Sequence, residues 1–528
     1  MMLYMEQDLQ HAQQHPHLTP VECGTYALQE WNKIEQARKA QSKDASHTNK
    51  PLDKSSVHNQ YPSNTQKSYA GITTSNDDST LPLYHSNNSS EGSKEHVSND
   101  ATIDIDSTKV PTILVIHASV GSGHRSAAIA VAQSLEHIRD TQEPAFPDGS
   151  PLDPQTRIAV IDILAWGAHV FDGDHTASMF TGATRPFYDL TWRYCFTGRL
   201  LWSGGTFLNY TLWRKFTRFI ASVKPIAVVA THIMGANMAA GARTIANLNF
   251  PIVSVPTDYE TEGLWPHRAT DCFCVATESM AETLRARKIP EENIAITGIP
   301  TRIDFQKEYD SQTVRQSLGL PEDKKLVLVL AGAYLSQPYV HFRSVLDKAL
   351  PIMHNHENLH MVIVCGKDSE YADHVQSICD EEGLTNVTIY GYVSKMAQLM
   401  AASDLIVCKS GGLTVTECLC AHAPMILVGR AYGQEKANVN MLINNGAALH
   451  VTTVRELMDA LHQVALHPEK ISTMLFNANL IRRPMAAHDI AHIALDLSTL
   501  PRNEAHGSRP SHHWIFSFYW GNRPAHLR

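Results

Sequence analysis

From Lys109 onward the chain alternates short β-branched apolar runs with helical patterns, and it does so in two successive series. The first series holds Val110–His117, Ile158–Leu164, Ile226–Ala230, Ile252–Val255 and Cys272–Ala276. The second holds Leu326–Ala331, Met361–Cys365, Val387–Tyr390, Leu405–Lys409 and Pro424–Val428. Unbroken apolar runs of this length suit strands buried on both faces, hence parallel sheets with helices on each side. Two series of about five strands predict an α/β chain of two Rossmann-like domains whose parallel sheets face a central cleft. The domains are expected over 107–305 and 320–500. Between them, in Thr301–Glu322, Gly, Pro and charge interrupt the apolar runs.

The flanks read differently. Met1–Asp106 is crowded with Ser, Asn, His, Gln and Thr and holds 14 acidic against 8 basic side chains. Such a segment buries too little apolar surface to offset its ordering entropy, so it is expected to be disordered. Pro501–Arg528 is a tail with an aromatic cluster at Trp514–Trp520. Of the net charge of −9, most lies in the N-terminal segment, and a near-neutral body argues against nucleic acid as a partner. The nine cysteines show no CxxC spacing and sit mostly in apolar runs, which fits a reducing compartment without disulfides or structural zinc. No apolar stretch approaches the ~18 residues of a spanning helix, and the N-terminus has no apolar core of a secretory signal. A cytoplasmic location is expected.

Three places carry candidate chemistry. The first strand ends in His117-Ala118-Ser119-Val120-Gly121-Ser122-Gly123-His124, and a helix opens behind it. Glycines such as Gly121 and Gly123 at a strand-to-helix turn let backbone N–H groups face a ligand. The same turn puts His124 at the mouth of the cleft. There a neutral imidazole can take a proton from an acceptor hydroxyl, or simply cap a helix. In the second series, Leu405–Lys409 runs into Ser410-Gly411-Gly412-Leu413-Thr414-Val415-Thr416-Glu417, and the next strand into Tyr432-Gly433-Gln434-Glu435-Lys436-Ala437-Asn438. Small residues plus hydrogen-bonding side chains in successive loops suit a nucleotide sugar. Thr414-x-x-Glu417 is equally a capping box. Gly391-Tyr392-Val393 ends another strand, where a base can lie against a ring, or where the tyrosine is simply buried. Finally, Arg185–Lys224 holds 7 basic side chains, 1 acid and 11 aromatics, with Trp192, Trp202, Trp213, Arg214, Lys215 and Arg218 among them. Rings and cations together suit contact with an anionic membrane surface, a solvated face of core helices, or a protein-binding face.

Taken in order, these motifs resemble the diacylglycerol glycosyltransferases: processive diacylglycerol glucosyltransferases and monogalactosyldiacylglycerol synthases, of glycosyltransferase family 28. The resemblance spans about Val110 to Val451. It rests on Gly121–Ala128, Thr231-His232, Pro256-Thr257-Asp258-Tyr259 with Trp265, Thr297–Pro300, Ala402-Ser403-Asp404, Lys409–Glu417 and Gly433-Gln434-Glu435 with Asn438. It implies a GT-B fold and inverting transfer of a hexose from a UDP-sugar donor to diacylglycerol, at the inner face of the cell membrane, with no cofactor or metal required. A polyprenyl-linked acceptor, or a UDP-sugar epimerase or hydrolase on the same fold, are the alternatives. By resemblance His124 is the catalytic base, and Gly121, Gly123, His232, Asp258, Trp265 and His267 lie on the acceptor side. Glu417 holds the ribose, Gln434 and Glu435 the hexose, and Asn438 belongs to the donor site. Gly411, Gly412 and Thr414 lie near the diphosphate, and Gly391, Tyr392 and Val393 near the uracil. The chain departs from the family pattern at Glu262, where bacterial relatives tend to have histidine, and in Leu330–Gln337, which keeps one glycine.

Overall fold

A computed structural model describes residues 110–119, 122–167, 212–261, 265, 269–332, 339–355, 358–431 and 433–500. The expected disordered segment, the aromatic tail, Gly121, His267, Trp192 and Trp202 lie outside these residues. Among the described residues no helix is long and apolar enough to cross a membrane.

The first sheet comprises β1 (Thr112–His117), β2 (Arg157–Asp162), β3 (Ala227–Ala230), β4 (Ile252–Ser254), β5 (Cys272–Val275) and β6 (Ile294–Ile296), in the order β2-β1-β3-β4-β5-β6. The second comprises β7 (Lys325–Leu330), β8 (Leu359–Val364), β9 (Val387–Tyr390), β10 (Leu405–Cys408), β11 (Met425–Val428) and β12 (Ala448–Val451), in the order β12-β11-β10-β7-β8-β9. Every pairing is parallel. β1, β3, β5, β8 and β10 are buried along their whole length, as parallel strands covered on both faces must be. This is the expected GT-B arrangement of two Rossmann-like sheets. Each sheet has six strands rather than about five. The two that the sequence pattern did not reveal, β6 and β12, are short edge strands only partly buried, so their apolar signal is weak.

Strand order reverses between β1 and β3 in the first sheet and between β7 and β10 in the second. In open parallel sheets the crevice beyond the carboxyl ends of the strands at such a reversal is where ligands sit. His124 and His232 follow β1 and β3, and Gly411 to Glu417 follow β10.

The chain crosses between sheets twice. In the first crossing, Phe305, Val314 and Leu318 already pack into the second domain's core. There Arg315 donates to Ala402 O at 2.8 Å and to Asp404 Oδ2 at 2.6 Å. The second crossing changes the expected boundary at residue 500. The last helix, Ala486–Thr499, returns to the first domain, where Ile490, Ala491, Ala494 and Leu495 share a core with Ile113, Val115, Leu135 and Ile138. Gly298 permits the return: its φ is +98°, and a Cβ there would lie 2.6 Å from Arg483 Cβ.

Candidate active site

Helix Ser122–Thr141 follows the turn after β1 and carries His124 in its first turn. The imidazole Nδ1 lies 3.1 Å from Thr231 O, just past β3, and 2.8 Å from Thr257 Oγ1, just past β4. A carbonyl can only accept, so the arrangement places the ring proton on Nδ1. Nε2 then keeps its lone pair and has no hydrogen-bond partner among the described residues. The Thr231 hydroxyl donates to His124 O at 2.9 Å, which fixes the backbone at the same point. Burial lowers the His124 pKa below the usual imidazole value, against the upward pull of the Asp258 carboxylate. The ring is therefore neutral at pH 7, as a base must be.

His232 stands edge-on to His124, with ring centroids 4.6 Å apart. It caps helix Ile233–Ile245: Met234 N–H donates to its Nδ1 at 3.1 Å. An imidazole that accepts at Nδ1 is the neutral tautomer with its proton on Nε2, and burial, then His124 and His117, hold its pKa well below the usual value. On the other side of β1, Ser119 Oγ donates to Asp162 Oδ2 at 2.5 Å.

The second domain meets this cluster along a close seam. Helix Gly412–Cys420 starts opposite Thr257 and Asp258. A Cβ on Gly412 would lie 2.2 Å from Thr257 O and 2.7 Å from Asp258 Oδ1. Asn438, fully buried in helix Gln434–Asn444, spans the seam. Its Nδ2 donates to Asp258 Oδ1 at 2.8 Å and to Ser410 O at 2.9 Å, while its Oδ1 accepts from Tyr259 N at 2.8 Å. Tyr259 OH and Thr416 Oγ1 are 2.9 Å apart. Asn438, expected in the donor site, thus has its amide engaged in bracing the two domains.

The N-cap of helix Gly412–Cys420 is Gly411, and no side chain caps it. Its first N–H groups are therefore free to meet an anion. This rules out the capping-box alternative for Thr414 and Glu417, which lie inside the helix. The capping box of this domain is Thr453 with Glu456. No described residue hydrogen-bonds the Glu417 carboxylate, and burial pushes its pKa up to about 7, with Arg302 opposing.

Lys409, which ends the β10 run and was given no role from the sequence, pairs with Glu435. Burial brings its pKa down to about 8, against the pull of Asp258. A lysine immediately after a buried strand at a sheet's reversal point was the available signal. Gly433, in a left-handed conformation with φ +54°, turns the chain into the helix that carries Gln434, Glu435 and Asn438. Gly391 and the buried Val393 follow β9. Tyr392 is not buried; it is 55% exposed, with Lys367 Nζ 5.7 Å from its ring centroid.

Two expected contacts fall elsewhere. Trp265, placed on the acceptor side by resemblance, is buried in a core with Ala127, Ala236 and Phe273. Trp213, expected at a membrane interface, is 1% exposed. Its indole donates to Ile163 O at 2.9 Å, which satisfies the buried N–H and fixes the ring inside. Arg214, Lys215 and Arg218 are exposed on helix Arg214–Val223, whose Phe216, Phe219 and Ile220 face the core.

Two family models match parts of the chain. Residues 157–301 match the monogalactosyldiacylglycerol (MGDG) synthase family model, and residues 326–490 match that of the glycosyltransferase family 28 C-terminal domain. The chain is similar to the processive diacylglycerol beta-glucosyltransferase of Bacillus licheniformis: 29% identical over 231 residues, 43% of this chain and 57% of that protein. It is similar to that of Bacillus subtilis at 28% over 230 residues, 43% and 58% respectively. It thus spans less than two thirds of the length of these relatives. Among solved structures, Acinetobacter baumannii MurG aligns at 17% identity with a TM-score of 0.44, covering 73% of this chain and 99% of that one. The two family models are matched in succession along the two Rossmann-like halves, which makes the chain similar to the diacylglycerol glycosyltransferases and to glycosyltransferase family 28.

Proposed function

We propose that the protein transfers a hexose from a UDP-sugar to a membrane lipid hydroxyl, with diacylglycerol as the acceptor and with inversion at the anomeric carbon. The observation that carries this reading is His124, held at Nδ1 with Nε2 open, across the seam from the uncapped start of helix Gly412–Cys420. The acceptor O–H gives its proton to Nε2 as the oxygen bonds to the anomeric carbon. The bond from that carbon to the diphosphate breaks on the opposite face, and the helix N-terminus takes up the charge that develops on the leaving UDP. The protein's main contribution is to hold the two substrates in line. Incubating the protein with diacylglycerol-containing liposomes and radiolabelled UDP-glucose or UDP-galactose, then extracting lipid, tests it. Label in a water-soluble sugar and none in lipid would overturn it in favour of an epimerase or hydrolase.

Glu417 is the proposed ribose contact, and its raised pKa gives this a sign. The carboxylate accepts two hydroxyls only when ionised, so donor affinity rises as pH climbs through about 7. If only the ionised form binds, the competent fraction differs by about tenfold between pH 6 and pH 8, and so does the apparent Kd for UDP. Calorimetry on Glu417→Gln should show weaker binding from which this dependence has gone. The same pH profile in both proteins would remove Glu417 from the donor site, because UDP's own titration is common to both.

The membrane-facing element of the proposal is narrower than the composition of Arg185–Lys224 implies. With Trp213 inside, the described part of the segment offers chiefly cations, with Arg214, Lys215 and Arg218 on one helix face. At about 1 kcal/mol per basic residue, changing all three to Glu should weaken binding to anionic vesicles at least about a hundredfold. Sedimentation with phosphatidylglycerol vesicles measures it. Equal pelleting of mutant and wild type would show that this face is merely solvated. A peripheral place on the inner leaflet is part of the same proposal.

A further inference from the structure

Away from the seam, three metal-ligating side chains converge where the last helix lies against the helix that carries His124. His488 and His492 stand one turn apart on helix Ala486–Thr499, with ring centroids 4.5 Å apart. Glu143 comes from just beyond the end of helix Ser122–Thr141, and its Oε1 lies 3.2 Å from His488 Nε2. Gln142, with φ +56°, ends that helix and turns the chain, and its side chain ties the turn to Leu152 O at 3.1 Å. One ligand atom from each of the three residues lies within 4.8 Å of the other two. All three positions are partly buried.

We propose that Glu143, His488 and His492 form a binding site for a borderline divalent cation of the zinc class. The donor set decides the class: two imidazoles and one carboxylate suit zinc or cobalt and not calcium or magnesium, which take oxygen ligands. Histidines at i and i+4 present both rings on one helix face, the spacing that zinc sites on helices use. Around a zinc ion with bonds of about 2.0–2.1 Å, tetrahedral ligand atoms stand roughly 3.3 Å apart. His488 and Glu143 already have that separation, and rotation of the His492 side chain closes the third corner, leaving a fourth for water. The site takes no part in the transfer reaction. Thr141, the last residue of helix Ser122–Thr141, is 17 positions along from His124, about 25 Å at the helical rise, and Glu143 lies just beyond it. What it would do is pin the returning last helix to the first domain.

The test uses the full chain, stripped with EDTA and then titrated with Zn²⁺ or Co²⁺. Because the chain has 29 histidines, the readout is the difference between wild type and His492→Gln, which leaves the His488–Glu143 bond intact. Wild type should retain one more equivalent of metal after gel filtration, bind it at least roughly tenfold more tightly, and show the visible absorption of tetrahedral Co²⁺. Its melting temperature should rise with metal, while in EDTA the two proteins should melt alike. Equal metal content, or an equal metal-induced rise in melting temperature, would overturn the proposal and leave the three side chains as a hydrogen-bonded surface cluster. Should His492→Gln fail to fold, Glu143→Gln, whose amide can still bond His488, serves as the second variant with the same two readouts.

Discussion

Replacing His124 with alanine should lower lipid glycosylation by about 10²–10⁴-fold, the range a positioned general base supplies, while UDP affinity stays within about twofold. The separation arises because His124 belongs to the first domain, whereas the uncapped helix and Glu417 belong to the second. The pH profile adds a check with a definite sign. Burial lowers the His124 pKa, so the base form persists at pH 7, and activity should be lost only as pH falls below the usual imidazole value of about 6.5. The alanine variant should lack that limb in its residual rate. Measuring kcat at saturating donor keeps the titration of Glu417 out of the comparison. Loss of UDP binding in parallel with activity would mean that the histidine supports the fold or the donor site, and the proposed base would have to be sought elsewhere.

Gly412→Ala should be nearly as damaging, for a steric reason. The added Cβ would meet Thr257 O at 2.2 Å and Asp258 Cα at 2.9 Å, and backbone cannot swing aside as a flexible side chain can. The seam must open, moving Thr257 away from His124 and the first domain away from the donor. A displacement near 1 Å at reacting groups can cost about a hundredfold in rate, and a loss of that size is expected here. UDP affinity should fall far less, because the donor contacts proposed for the second domain move with it. Activity of Gly412→Ala within threefold of wild type, together with unchanged solution scattering, would show that the seam is looser than described.

The strands were legible because burial on both faces leaves an uninterrupted apolar run, and β9 is found at its predicted bounds, Val387–Tyr390. β6 and β12 lie at sheet edges, where one side needs no apolar cover, and so left little trace. The site was legible where chemistry is local, as in the turn that delivers His124. It was hidden where chemistry depends on a distant partner. Nothing near Asn438 in sequence indicates that its amide will be taken up by Asp258 and Tyr259 in the other domain. The described part of the cationic-aromatic segment, residues 212–224, shows a different limit. Composition counts residues without their helical phase, and phase puts Trp213 and Phe216 inside while Arg214 and Arg218 stay out.

The return of the last helix has a consequence for how the molecule is made. The first domain's sheet closes at β6, near residue 296, yet part of its core is supplied by Ile490, Ala491, Ala494 and Leu495. As the ribosome releases the chain from its N-terminus, Val115 and Leu135 must wait for partners translated more than 350 residues later. The second domain can collapse around β7 to β12 in the interval, but the first cannot complete its core. Such a wait sets a high contact order, slows the closing of the first domain, and leaves an apolar face open to mispairing until helix Ala486–Thr499 is made.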